Sequence, residues 1–152
     1  MSISYKYVPP IQDVNKVTKF FSEDLLPLIT QYWYQRGKHI YNRELQLNLI
    51  ALIQMWQIGG LLSIVAYDGD KPVGVLLGVN FTPLWYGARV SQIEVCFGLT
   101  EAIESGLFDY LKQHLDFFNL TEIWVSSEAT DYPLSIDWTK CKQLSITRYT
   151  RE

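Results

Sequence analysis

Cysteine and histidine are scarce in this chain: Cys96, Cys141, His39 and His114 are all it has of either. At these separations they form neither a zinc-ligand spacing nor a disulfide framework. Two thiols outside any such framework suit a reducing, cytoplasmic setting. Runs of Lys or Arg are missing as well, and 13 basic residues stand against 16 acidic ones, a formal net charge of −3. The electrostatic footprint of a nucleic-acid binder is therefore absent. Long apolar runs are lacking too: the longest, "LIALIQMW", is far too short to span a bilayer. The start, "MSISYKYVPP", has neither the positive charge nor the apolar core of an export signal. A protein that is neither exported by a Sec-type route nor anchored is expected, with no metal, no nucleic acid and no membrane among its partners.

What is present is the material of one ordinary domain. A chain of 152 residues, 48% hydrophobic and 19% charged, can bury a core without staples. Aromatic residues are plentiful at 14%, and cluster in "QYWYQRG" and "PLWYG". Such rings serve either as the edges of a small core or as binding surfaces, and neither cluster names a ligand by itself.

Along the chain, residues 3–8 read as a strand stopped by Pro9-Pro10. From Asp13 the apolar residues fall at helical spacing: Val14, Val17, Phe20, Phe21, Leu25, Leu26, Leu28 and Ile29, with Pro27 suggesting a break or restart and Gly37 an end. A second helix is expected from the N-cap residue Asn42 to the Gly59-Gly60 stop. The period then changes. "LLSIVAY" and "VGVLLGV" flank the turn "DGDKP" as a hairpin. Residues 81–88 read as a loop and 89–97 as a strand whose Ile93, Val95 and Phe97 share one apolar face, with Gln92 and Glu94 on the other. A helix is expected over 100–118, with Ile103, Leu107, Tyr110 or Leu111, Leu115 and Phe118 inward, and "TEIWVSS" as a strand parallel to its predecessor. Residues 142–150 alternate as a last strand. The sum is an α+β domain: a mixed, mostly antiparallel sheet flanked by helices, with a central parallel strand pair around the 100–118 helix.

The order of elements, with "GGLLSIVAYDGDKPVGVLLG", "VSQIEVCFG" and "EIWVSS", resembles the second to fifth strands of the GNAT superfamily of N-acetyltransferases, the small bacteriophage-encoded members most of all. The resemblance covers most of the chain and its motifs are moderately specific. It implies acetyl coenzyme A as cofactor, with the pantetheine arm between splayed fourth and fifth strands and the pyrophosphate on backbone N–H groups where the fourth strand meets the next helix. Val95, Phe97, Gly98, Gly106 and Ser126 are carried over as cofactor-binding, Glu94 as general base and Tyr132 as general acid.

The phosphate loop departs from the family pattern Q/R-x-x-G-x-G/A. With Gly106 in its last position, Glu101 and Glu104 fall where a polar or basic residue and a glycine are needed. A carboxylate there repels a diphosphate, and a side chain keeps the backbone from closing around it. Both acids suit the positive end of a helix dipole instead. Glu94 invites the catalytic reading because an ammonium must lose a proton before it attacks a thioester, although a solvated or Arg89-paired strand residue has the same sequence. Two functions stand. The degenerate loop favours a GNAT-like fold kept as a non-catalytic binding module, phage-encoded, acting as a virion component or host-factor inhibitor through Trp85 and Tyr86. The alternative is a divergent acetyltransferase acting on an amine.

Overall fold

This computed structural model describes residues 2–125, apart from the side chains of Ile40 and Tyr41. Ser126, Tyr132 and the strand expected at 142–150 lie outside the described residues.

Strand β1 (Ile3–Tyr7) precedes a helical run built from α1 (Val14–Phe20), a π-helical turn (Phe21–Leu25), α2 (Leu26–Tyr32), a second π-helical turn (Trp33–Gly37) and α3 (Lys38–Tyr41). Asp13 starts it, its Oδ1 accepting the N–H groups of Asn15 and Lys16 at 2.9 and 3.2 Å. Pro27 coincides with a restart of the α-helix, whereas the end expected at Gly37 does not occur. Pro27 lies in the first turn of α2, where the wider π turn before it already relieves the ladder. Gly37 stays helical, and its missing side chain leaves room for the Trp33 ring, whose Cε3 would be 2.5 Å from a Cβ. The run ends at Asn42, which takes the left-handed conformation at φ 53°. Asn42 is thus a C-cap and not the expected N-cap. The next helix, α4 (Leu49–Gln57), is capped by Asn48, whose side chain accepts the N–H of Ala51 at 3.1 Å.

Strands β2 (Leu61–Asp68) and β3 (Lys71–Phe81) form the expected hairpin, turning through Gly69-Asp70 with Gly69 at φ 62°. Strand β4 (Val90–Gly98) pairs antiparallel with β3, and α5 (Glu101–Gln113) carries the chain to β5 (Glu122–Val125), parallel to β4. The helix is shorter than expected and is followed by a turn with Asn119 at φ 54°. The described strands run β1-β2-β3-β4-β5 across the sheet, antiparallel except for the last pair.

The sheet divides two cores. On one face, Val17, Phe21, Leu25, Ile29, Tyr32 and Trp56 pack against inward residues of β2 to β4. On the other, Ile103, Leu107, Phe108 and Leu111 of α5 cover Ile64, Leu76 and their neighbours. Burial on both faces explains why β2 and β3 read as continuous apolar runs. The facing of β4 corrects the simple alternation: Val95 and Phe97 lie in the first core, whereas Ile93 joins Cys96 in the second. The cause is the register, in which Leu77 pairs with Val95 and Gly78 with Ile93. Glu94 is the extra residue of a β-bulge, and an inserted residue reverses every side chain beyond it.

Candidate functional site

The described residues of β5 pair with β4 from Val90, opposite Glu122, to Ile93, opposite Val125. The Glu94 bulge follows at once. From there to Gly98, no described strand lies against β4 on the β5 side. Two backbone groups on that stretch are met by side chains instead: the Cys96 carbonyl accepts Arg36 Nη1 at 3.5 Å, and the Gly98 N–H donates to Glu104 Oε1 at 3.2 Å. Among the described residues this stretch has no strand beside it, and a strand edge without a neighbour is what a thin amide-bearing arm can pair with.

Glu94 stands at the mouth of that edge and keeps access to solvent. Surrounding protein removes part of its water, and this desolvation raises its carboxyl above the ordinary carboxylate range. No ion pair joins it to Arg89 among the described residues. The side chains of Val95 and Phe97 belong to the core, with the Phe97 ring 6.3 Å from that of Tyr32, so these positions can serve a ligand through their backbone only. Ser126 and Tyr132 lie outside the described residues.

At the far end of the edge, Gly98 lies tight beneath α5. A Cβ there would sit 2.8 Å from Ile103 Cγ2 and 2.9 Å from the Glu104 nitrogen. Thr100 caps the helix, its Oγ1 accepting the Ile103 N–H at 3.3 Å. Gly106 faces away from this junction, since a Cβ on it would collide with the Tyr5 hydroxyl. It sets the approach of α5 to β1.

The two glutamates separate into different roles. Glu101 is exposed in the first turn, a suitable complement to the helix dipole. The Glu104 side chain is only 4% exposed and forms an ion pair with Arg36, itself 24% exposed. Arg36 also lies over the Phe97 ring at 5.5 Å. Sequence reading singled out Glu104 but missed Arg36, whose partner is distant along the chain and follows no local spacing. Among the described residues the β4 edge suits the arm of a coenzyme A molecule, while a buried carboxylate at the end of that edge, holding the Gly98 N–H, does not suit its diphosphate.

Trp85 and Tyr86 lie in the loop between β3 and β4, at 87% and 48% exposure, beside Leu84 at 86%. The Tyr86 hydroxyl donates to Glu122 Oε1 at 3.1 Å, and Trp124 Nε1 donates to the same oxygen at 3.3 Å. Tyr86 is therefore tied to β5, whereas the Trp85 ring stands out in solvent. No group of three metal-ligating side chains occurs among the described residues, and none of their helices is long and apolar enough to cross a membrane.

The architecture is that of the GNAT acetyltransferases. An aminoglycoside acetyltransferase from an uncultured soil metagenomic sample, solved with sisomicin, superposes with a TM-score of 0.68 at 16% identity over 99% of this chain and 97% of that one. A ribosomal-protein-alanine N-acetyltransferase from Brucella melitensis gives 0.60 at 13% identity over 98% and 100%. A GCN5-related N-acetyltransferase from Ralstonia eutropha gives 0.65 at 10% identity over 98% and 99%. The sequence itself matches no protein-family model and no curated relative.

Proposed function

We propose that this chain is a divergent N-acetyltransferase that transfers an acetyl group to an amine, with Glu94 as general base. The observation that carries this reading is a solvent-exposed carboxyl on a β4 bulge, next to the last described β4–β5 pair, with desolvation raising its pKa. Its exposure allows an acceptor amine to approach it from solvent. As a partly desolvated carboxylate it can take the proton of an ammonium and leave a neutral, nucleophilic nitrogen. Acetyl coenzyme A, when bound, supplies an acyl thioester open to attack by that nitrogen. Tyr132 is the proposed acid for the departing thiolate. The neighbours named as aminoglycoside and ribosomal-protein-alanine acetyltransferases make an aminoglycoside and a peptide with a free amino terminus the first acceptors to assay.

Thiol release from acetyl coenzyme A that depends on an added amine tests the reading. The Glu94→Gln variant is expected to lose about 10²–10⁴-fold in rate while remaining folded. Unchanged turnover in that variant, or no amine-dependent release from the native protein, removes it.

A second reading has its own observation. Glu104 in place of an anion favours a fold that binds a protein without chemistry, with Trp85 and Tyr86 as the contact and a phage-encoded virion component or host-factor inhibitor as its setting. Loss of one specific partner on Trp85→Ala, with melting temperature retained, would support it.

A further inference from the structure

We infer that the Arg36–Glu104 ion pair is a built-in substitute for the donor's diphosphate: it fills the anion position at the end of β4, and Arg36 becomes the diphosphate ligand once the Glu104 charge is removed. The inference rests on the acetyltransferase reading for the identity of the donor, and on the geometry of this chain alone for the exclusion.

The pair crosses the sheet. Arg36 comes from the turn after α2, on the face where Tyr32 packs, and Glu104 from α5 on the opposite face. They meet over the β4 edge that no described strand occupies. Arg36 reaches the Cys96 carbonyl and Glu104 takes the Gly98 N–H, so the two side chains satisfy backbone groups of the strand as well as each other. A diphosphate brought to this point would meet a buried carboxylate, with the Gly98 N–H already engaged by it. Like charges a few ångströms apart in a partly desolvated cleft oppose binding strongly. The same place holds a guanidinium, whose planar fork suits phosphate oxygens as well as it suits a carboxylate. One charge therefore separates a closed anion site from an open one.

Calorimetric titration with coenzyme A and, separately, inorganic pyrophosphate tests this in four proteins: native, Glu104→Gln, Arg36→Gln and the double variant. The glutamine at 104 keeps the shape and can still accept the Gly98 N–H. Binding of both probes is expected to tighten by roughly ten-fold or more in Glu104→Gln and to fall back in the double variant. Equal affinity in all four proteins, absent binding included, overturns the inference, as does a gain that survives in the double variant. Should Glu104→Gln fail to fold, the native protein still decides: the Gly98 amide resonance is expected to stay in place on adding pyrophosphate, and a saturable shift overturns it. Amine-dependent thiol release is read separately, so failure of the acetyltransferase reading leaves the binding result interpretable.

Discussion

Glu104 and Arg36 illustrate how a buried charge is tolerated. Neither is free to be hydrated fully, so each depends on the other and on the Gly98 N–H and Cys96 carbonyl. Removing one partner leaves the other uncompensated. Arg36→Ala is expected to lower unfolding free energy by about 3 kcal/mol, and a concerted change of both to apolar residues of similar size by much less; urea denaturation distinguishes the two. Glu94 makes the opposite case of a charge kept without a described partner. Below the ordinary carboxylate range it is protonated in the folded and the unfolded chain alike and costs nothing. As pH rises through its raised folded value, ionisation works against desolvation and stability declines. The Glu94→Gln variant is thus expected to melt above the native protein near neutral pH, with the difference vanishing in acid. Equal melting temperatures at neutral pH would show that the carboxylate is hydrated in the fold. In the sequence Glu94 could be singled out because an acid in an apolar strand is conspicuous. Its bulge could not, since that depends on the register against β3, and Arg36 could not, since only the fold brings it to α5.

Helix boundaries show which elements local sequence governs. Thr100 caps α5 because a hydroxyl at that position competes for an N–H three residues on, and it accepts that of Ile103. Thr100→Ala is expected to cost about 1 kcal/mol, measurable as a shift in denaturation midpoint. Gly37 was misread for an equally physical reason. Glycine commonly ends helices, but here it is the absence of a Cβ beneath the Trp33 ring that matters, and the true end is Asn42 in the left-handed region. Gly37→Ala should displace that ring, whose Nε1 donates to the Arg43 carbonyl at 3.0 Å, and cost about 1–3 kcal/mol. A stabilising effect, as expected of glycine replacement in an exposed helix, would refute the packing role. The β2–β3 hairpin was legible throughout because its turn chemistry and its apolar runs pointed to the same structure.

A sheet with helices on both faces gives its strands unequal protection, and this extends to the site. Strands β2 and β3 pair over their length, have neighbours on both sides and lie between the two cores. Strand β1 has no described partner beyond β2, and the described part of β5 pairs with β4 along four residues. Native-state hydrogen exchange is therefore expected to be slowest for the amides of β2 and β3, which open only with the whole fold, and faster at β1 through local opening. Gly98 provides the informative exception. Its amide lies on the β4 edge that no described strand covers, yet Glu104 holds it in a buried hydrogen bond. It should exchange slowly in the native protein and in Glu104→Gln, which keeps an acceptor, and markedly faster in Glu104→Ala, while the β2 and β3 amides keep their rates. A uniform acceleration across all strands would mean that the ion pair supports the entire domain and does not act as a local plug at the cleft. Fast exchange of Gly98 in the native protein would mean that the cleft already opens by itself.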